Sequence, residues 1–323
     1  DLFVELQEKL EGKKVRIVFP EAYDERVLEA AVKLSATSYV QPVLVGKRER
    51  VEEIAQPLFL NVSGIEFVDH ENYEKYDEMV AKFVERRAGK VTEEKARELL
   101  QDVNYFGTML VYMGEVEGLV SGAIHSTGDT VRPALQIIKT KPGVSRTSGA
   151  FIMSRNASRF IFADCAINTT IDAQGLAEIA VESAKTAKAF NINPKVAMLS
   201  FSTYGSAKTE ETLKVAEATK LVREKAPTLP VGGEMQFDAA YVPPVAKLKA
   251  PNSEIQGDAN VFIFPSLEAG NIGYKIAERL GGFEAVGPIL QGLNAPVNDL
   301  SRGCSSIDVL KLALITAVQA LEK

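Results

Sequence analysis

The 323-residue chain is 46% hydrophobic and 25% charged, an ordinary globular composition whose length suits about two domains. Its net charge of −6 comes without a basic stripe, which argues against nucleic acid as a partner. No apolar run approaches the ~20 residues that cross a membrane. Two cysteines and two histidines, with no Cys-x-x-Cys or His-x-x-x-His, predict neither a disulfide framework nor a transition-metal site. The cysteine count fits a cytoplasmic protein.

Two common nucleotide-binding motifs are missing from the sequence. Gly-x-Gly does not occur, so the dinucleotide fingerprint is absent. Gly-Lys-Ser/Thr does not occur either, so there is no P-loop. These absences argue against a Rossmann-type dehydrogenase and against a P-loop kinase.

Strand-like and helix-like segments alternate along the chain. Strands are expected at residues 15–19, 42–46, 65–68, 160–165, 196–201 and 261–265. Helices are expected at residues 24–36, 176–190 and 307–318, with two charged helices between 73 and 101 that break near Gly89. The alternation predicts an α/β fold with parallel sheets covered by helices.

Residues 118–133 predict a strand, a Gly/Ser/Thr loop and then a helix with Pro133 in its first turn. Ligands of open α/β sheets bind at the carboxyl ends of strands. Hydroxyl groups and one cation could therefore contact an anion here: Ser126, Thr127, Thr130 and Arg132. His125 could be a general base, or a histidine held in place by a structural hydrogen bond.

Two further positions have a functional and a structural interpretation. Residues 202–208 again follow a strand, and Ser206 could contact a phosphate or could cap the next helix. Arg87 closes a charged helix, where it could bind an anion or could simply be a solvated cation at a helix end.

Residues 294–308, at the start of the last helix, carry the most closely spaced candidate catalytic side chains. Ser301, Arg302 and Asp308 fall within eight residues, and Ser305 and Asp308 occupy expected N-cap and N3 positions. A hydroxyl, a guanidinium and a carboxylate at a helix N-terminus suit a negatively charged substrate. The alternative is that these residues serve only the cap and the turn.

Four blocks of sequence together resemble the phosphate acetyltransferase family, in the family's order: residues 121–134, 198–208, 264–272 and 298–304. The resemblance extends over nearly the whole chain and fits the family's compact bacterial and archaeal form. It implies reversible acetyl transfer between acetyl phosphate and coenzyme A, by direct thiolate attack in a ternary complex. Coenzyme A is then a co-substrate, phosphate a product, and no cofactor or metal is permanently bound.

The resemblance also implies an architecture. The family has two α/β domains of the isocitrate/isopropylmalate-dehydrogenase type with the active-site cleft between them, and it is usually homodimeric. Residues 1–145 and 296–323 are expected to form the first domain, and residues 146–295 the second.

Residue roles carry over by motif. The resemblance implies that Ser301, Arg302 and Asp308 are catalytic and that Arg132 and Arg87 bind the phosphate or coenzyme A anions. Arg86 stays an alternative to Arg87. Further substrate contacts are expected from three hydroxyl groups, those of Ser126, Thr130 and Ser206.

The implied mechanism has a physical difficulty at the proton transfer. Arg302, supported by Ser301, would stabilise the charge that develops on the carbonyl oxygen. Asp308 would accept the thiol proton, although the usual pKa values of a carboxyl (~3.9) and a thiol (~8.5) leave a mismatch of ~6 kcal/mol. Desolvation of the carboxylate and a nearby arginine would have to close that gap. Alternatively, Cys304 could act as nucleophile through an acetyl-enzyme.

Three rival functions share parts of this pattern. A phosphate butyryltransferase would differ only in the acyl pocket. A metal- and NAD-dependent hydroxyacid dehydrogenase of the same fold would need an acidic metal cluster. A non-catalytic sensor of acetyl phosphate or coenzyme A would be expected to lack Arg302 or Asp308, and both are present.

Overall fold

The computed structural model describes residues 1–322, which divide into two compact units. Unit 1 comprises Asp1–Thr140 and Leu293–Lys323, and unit 2 comprises Lys141–Gly292. Each unit has its own β-sheet with helices packed on it, so the predicted α/β class is confirmed. Within residues 1–322, no helix is both long and apolar enough to cross a membrane.

The described residues contain eleven strands: β1 Val15–Phe19, β2 Val40–Val45, β3 Glu66–Val68, β4 Gly118–Ser121, β5 Ser148–Arg155, β6 Ser158–Ala163, β7 Val196–Leu199, β8 Val231–Met235, β9 Val261–Ile263, β10 Glu284–Gln291 and β11 Val297–Asp299. They contain thirteen α-helices: α1 Leu2–Leu10, α2 Glu25–Ser35, α3 Arg48–Ala55, α4 Tyr76–Arg87, α5 Glu93–Leu99, α6 Val103–Tyr112, α7 Thr127–Pro133, α8 Ala173–Ala189, α9 Glu210–Lys225, α10 Phe237–Tyr241, α11 Pro243–Lys249, α12 Leu267–Arg279 and α13 Ser306–Leu321.

The sheet of unit 1 is parallel throughout, in the order β11-β4-β1-β2-β3. Every residue of β4 and β11 is buried, including the polar Ser121, Asn298 and Asp299. Helix α13 packs against α2, α1, β4 and β1, so the segment that precedes α13 is anchored to the core of the unit.

The sheet of unit 2 is mixed, in the order β10-β5-β6-β9-β7-β8. Strands β6, β9, β7 and β8 pair parallel to one another. Strand β5 pairs antiparallel with β6 on one side and with β10 on the other. Strands β5 and β10 were not predicted from the sequence. Phe160, Phe162 and Phe262 lie in the core that this sheet covers.

The helices confirm one local prediction and contradict another. The charged helices expected between residues 73 and 101 are confirmed as α4 and α5, and Ala88 ends α4 in the left-handed conformation. The placement of Pro133 in a first turn is wrong. Ser126 starts α7 well before Pro133, which instead ends the helix and leads into a π-helical turn over Ala134–Ile138.

Candidate active site

The candidate site lies in unit 1, where three neighbouring parallel strands end at one edge of the sheet. Glu21 follows β1, residues 122–125 follow β4, and residues 300–305 follow β11. The carboxyl edge of a parallel sheet is where α/β proteins bind their ligands.

An internal carboxylate organises the loop after β4. The buried Glu21 side chain accepts hydrogen bonds from the backbone N–H groups of Gly122 (2.8 Å), Ala123 (2.8 Å) and Ile124 (2.7 Å). It also lies 2.7 Å from Nδ1 of His125. These N–H groups are therefore already paired, and a substrate anion at this edge must be held mainly by side chains.

Gly122 allows the loops after β4 and β11 to touch. Its φ of 121° lies in the region that favours glycine. A Cβ atom there would collide with the Asp299 side chain and with the backbone of Leu300. The close approach places residues 122–125 directly beside the segment that carries Ser301 and Arg302.

Arg26, at the start of α2, ties the same two loops together. Its guanidinium donates to the carbonyl oxygens of Ala123 (2.9 Å), Arg302 (2.7 Å) and Cys304 (3.0 Å). It also forks onto Asp24 through Nε (3.1 Å) and Nη2 (2.9 Å). Burial works to raise the pKa of Asp24, but the hydrogen bonds from Arg26 and from backbone N–H groups outweigh it and lower that pKa.

The segment before α13 has the predicted cap geometry. Ser305 Oγ accepts from the N–H of Asp308 (3.1 Å), and Asp308 Oδ2 accepts from the N–H of Ser305 (2.9 Å), so the capping box is confirmed. Asp308 is solvent-exposed in this conformation. Ser301 is exposed and accepts from the N–H of Gly303 (3.2 Å).

Arg302 presents an unengaged cation beside this cap. The residue is exposed, and its guanidinium forms no hydrogen bond or ion pair with any other residue in the range 1–322. Its backbone carbonyl, by contrast, is fixed by Arg26. The arrangement leaves the charge of Arg302 available to a ligand while its backbone is held.

The two arginines at the end of α4 differ in their surroundings. Arg86 donates to the carbonyl oxygens of Ile137 (2.7 Å) and Ile138 (3.3 Å) and stacks on the ring of Tyr112. The Arg87 guanidinium forms no hydrogen bond or ion pair with the rest of the described chain. The geometry therefore favours Arg87 over Arg86 as a ligand for an anion.

The charges of Arg87 and Arg132 both act on one side chain, Tyr105. Burial raises the pKa of the Tyr105 phenol, while the positive charges of Arg132 and Arg87 work to lower it. Both cations therefore lie within electrostatic reach of one phenol. Arg132 is exposed, and within residues 1–322 its guanidinium makes a single long ion pair, 3.5 Å from Asp129.

The hydroxyl groups predicted in α7 are less accessible than expected. Ser126 is the N-cap and accepts from the N–H of Asp129 (3.1 Å). Thr130 is fully buried, and its Oγ1 has no hydrogen-bond partner among residues 1–322. Ser126 is thus engaged by the backbone, and Thr130 faces the interior.

Asp299 is a second buried carboxyl that the sequence did not single out. Its Oδ2 accepts from Thr127 Oγ1 (2.8 Å), while Oδ1 is buried without a partner in the described residues. Burial is the main cause that raises the pKa of Asp299 to about 6, and the negative charge of Glu21 adds to it, whereas the hydroxyl groups of Thr127 and Thr130 partly oppose it. Asp299 thus gains its charge only near neutral pH.

Ser206 lies in unit 2, in the loop after β7. Its Oγ accepts from the N–H of Thr203 (3.0 Å) and lies 3.3 Å from Ser202 Oγ, so the loop satisfies its own polar groups. The alternative of Ser206 as a helix cap is wrong. Helix α9 begins three residues later than that position would require, because Thr209 forms its capping box.

Cys304 is poorly suited to be a nucleophile. Burial raises the pKa of its thiol; Arg26 opposes the shift, and the carboxylates of Asp24 and Asp308 reinforce it. The nucleophilic form of cysteine is the thiolate. The acetyl-enzyme alternative therefore loses support. Within the described part of the chain, no group of three or more His, Cys, Asp or Glu side chains could hold a metal ion.

A family model described as phosphate acetyl/butaryl transferase matches residues 1–317. The chain belongs to this family. The phosphate acetyltransferase of Bacillus subtilis (strain 168) is 64% identical over 321 residues, which are 99% of each chain.

Solved structures of the family agree with this assignment. The EutD phosphotransacetylase from Staphylococcus aureus superimposes with a TM-score of 0.96 at 63% identity, covering 99% of this chain and 98% of that one. A phosphotransacetylase from Streptococcus pyogenes gives a TM-score of 0.98 at 56% identity, covering 100% of this chain and 98% of the other. The family match therefore spans both units, including the candidate site in unit 1.

Proposed function

We propose that this protein is a phosphate acetyltransferase, which transfers an acetyl group reversibly between acetyl phosphate and coenzyme A. Sequence identity of 64% to a phosphate acetyltransferase, over nearly the whole length of both chains, supports this reaction. The structural observation that carries the proposal is the unengaged guanidinium of Arg302 beside the N-terminus of α13. A positive charge in this place matches a substrate whose carbonyl oxygen becomes negative as it reacts.

The anionic groups of both substrates are assigned to the remaining arginines. Acetyl phosphate and coenzyme A repel one another, so the site needs cations that keep their charge, and guanidinium groups meet that need. Arg132 and Arg87, whose charges both act on Tyr105, are proposed to hold these phosphates. Ser126, Thr130 and Ser206 stay predicted contacts, and each would have to exchange its present surroundings for substrate.

The acyl transfer is proposed to occur by direct attack of the thiolate in a ternary complex. Arg302 and Ser301 stabilise the oxygen of the carbonyl group under attack, and preorganised donors of this kind are worth ~3–4 kcal/mol. Asp308 accepts the thiol proton, and because Asp308 is exposed in the protein alone, the bound substrates must supply the desolvation that this step requires.

The family resemblance supports two further proposals about the whole protein. We propose that the enzyme is cytoplasmic, since its two cysteines are free, and that it works as a homodimer.

The experiment is a metal-free assay of acetyl-CoA formation from acetyl phosphate and coenzyme A, with Arg302→Gln measured beside the wild type. We expect wild-type activity and a loss of kcat by a factor of ~10² or more in the folded variant. Arg97→Gln, which removes an exposed arginine of α5 that pairs with Asp77 and Glu93, is the matched control and should keep full activity.

Two results would contradict the proposal. A wild type that is inert with acetyl phosphate but active with butyryl phosphate would indicate a phosphate butyryltransferase. A wild type inert with both acyl phosphates, yet able to bind coenzyme A in calorimetry, would indicate a sensor.

A further inference from the structure

The proposed function leaves the hydrogen-bonded pair of Glu21 and His125 at the site without a role. The Glu21 carboxylate fixes the His125 ring through Nδ1 at 2.7 Å. Nε2 of His125 forms no hydrogen bond with any residue in the range 1–322, and the side chain is 23% exposed. A buried carboxylate that orients an accessible imidazole is the arrangement by which proteins prepare a histidine for proton transfer.

The reaction has a second proton requirement besides that of the thiol. When the C–O bond of acetyl phosphate breaks, the electron pair goes to a phosphate oxygen, and the fully ionised phosphate is a strongly basic leaving group. A proton delivered to that oxygen during bond breaking lowers the barrier, and general acids of this kind contribute ~10²–10⁴-fold. Imidazole is the side chain that most readily donates and accepts protons near neutral pH.

The position of His125 fits the phosphate side of the site. His125 directly precedes Ser126, the N-cap of α7, and α7 carries Arg132. A Cβ on Gly128 would lie 3.4 Å from Arg132 Nη2, so this guanidinium folds back over the first turn of α7. Arg26 binds the carbonyl oxygens of Ala123 and Arg302 with one guanidinium, so the His125 loop and the Arg302 loop flank the same space.

We propose that His125 is a catalytic residue that protonates the departing phosphate, and that Glu21 is the residue that positions it. The inference rests on the proposed acetyl transfer and extends it. The thiol proton passes to Asp308, the S–C bond forms, the C–O bond breaks, and the proton on His125 Nε2 passes to the phosphate oxygen that receives the electron pair. In the reverse direction, neutral His125 takes a proton from phosphate as phosphate attacks acetyl-CoA.

The charged groups around His125 define the expected pH dependence. Glu21 contacts the ring, Arg26 and Asp24 meet the loop at Ala123, and Asp299 lies behind Gly122. The forward reaction needs protonated His125 and the reverse reaction needs the neutral form. Forward kcat should therefore lose activity on the alkaline side of the imidazole titration, and reverse kcat on the acidic side.

The test compares His125→Ala with the wild type, using acetyl phosphate and coenzyme A. We expect His125→Ala to lower kcat by ~10²–10³-fold and to change KM by less than about threefold. The alkaline decline in forward kcat that depends on His125 should also disappear in this variant. Added imidazole should restore part of kcat in this variant, because a free imidazole can occupy the vacated space and donate the proton. His70→Gln, which changes the other histidine of the chain, is the matched control and should leave kcat, KM and imidazole response unchanged.

Glu21→Gln tests the positioning role separately. Glutamine can keep an oxygen acceptor for Nδ1, but it removes the negative charge and turns its NH2 group towards the N–H groups of Gly122 and Ala123. We therefore expect a lower kcat and a shift in the pH at which forward activity is lost, without the rescue by imidazole expected of His125→Ala. An active wild type with a His125→Ala variant within threefold of wild-type kcat, or with a loss that imidazole does not relieve at any pH, would overturn the inference and leave the acetyltransferase proposal intact. A wild type without acyl transfer would overturn both.

Discussion

Glu21 shows how a single buried side chain redirects ligand binding. The backbone N–H groups after a parallel strand often hold a phosphate, yet here Glu21 takes three of them. The loop therefore has a defined shape before any substrate arrives. Binding of the anions then depends on the exposed guanidinium groups of Arg302 and Arg132, whose charge persists over the whole physiological pH range.

Asp299 gives a prediction about stability at the residue scale. Its pKa in the folded protein is raised to about 6, whereas in the unfolded chain it should be near the usual ~3.9. Between those pH values the native state binds more protons than the unfolded state, so stability falls as pH rises through this window. We expect Asp299→Asn to be more stable than the wild type at pH 7.5 by up to ~3 kcal/mol, the upper limit for a difference of about two pH units.

Urea denaturation at two pH values checks this prediction. At pH 4, where the wild-type carboxyl is almost fully protonated in the folded state and about half protonated in the unfolded state, the advantage of Asp299→Asn should shrink to a small fraction of its value at pH 7.5. An equal advantage at pH 4 and pH 7.5 would mean that packing, rather than the charge of Asp299, separates the two proteins.

The adjacent arginines of α4 provide a second prediction at this scale. Arg87→Gln removes a cation that no other described residue uses, so we expect unchanged stability and a KM for coenzyme A or acetyl phosphate that rises about tenfold. Arg86→Gln removes two hydrogen bonds to Ile137 and Ile138, so we expect a loss of ~1–3 kcal/mol in the free energy of unfolding with little change in KM. Steady-state kinetics and urea melts of both variants measure the contrast, and the reverse pattern would assign the ligand role to Arg86.

At the scale of the element, the two residues of the α13 capping box allow a structural role to be measured separately from a catalytic one. Ser305→Ala removes one half of the capping box and should lower the free energy of unfolding by ~1 kcal/mol. Asp308→Asn retains an oxygen acceptor for the N–H of Ser305, so its stability loss should be no larger, whereas kcat should fall by at least ~10² if Asp308 accepts the thiol proton. Parallel urea melts and kcat measurements decide the question, because equal kcat in the two variants would reduce Asp308 to a cap.

Local patterns predicted the elements whose formation depends on neighbours in sequence. The capping box of Ser305 and Asp308 and the break between α4 and α5 are of this kind. Strand β10 was missed because its partner β5 lies more than a hundred residues earlier in the chain, and nothing local marks that partner. Strand β5 does have a local partner in β6, but the polar residues just before it favour a flexible crossover over a strand. Glu21 was missed for the same reason, since an acidic residue after a strand usually reads as a surface charge until the loop it binds, residues 122–125, is known.

At the scale of the whole molecule, α12 in unit 2 packs on the core through Tyr274 and Ala277 but leaves an apolar stripe exposed on another face. Among its thirteen residues only Gly270 is buried. Ile272 and Ile276 are 56% and 53% exposed, and Leu280 at the C-cap is 86% exposed, so three large apolar side chains form a stripe at four-residue spacing. An amphipathic helix normally turns such a stripe inward, and exposed apolar patches mark interaction surfaces.

We expect this stripe to be the contact between the two copies of the proposed homodimer. Because burial of a large aliphatic side chain is worth ~1.5–3 kcal/mol, placing lysines in the stripe should shift the protein from dimer to monomer. Light scattering of Ile276→Lys/Leu280→Lys at micromolar concentration should give half the mass of the wild type. Phe59→Lys changes a 96% exposed aromatic of unit 1 and should leave the mass unchanged. A double variant that keeps the wild-type mass would place the dimer contact elsewhere, and a monomeric wild type would remove the homodimer from the proposed function.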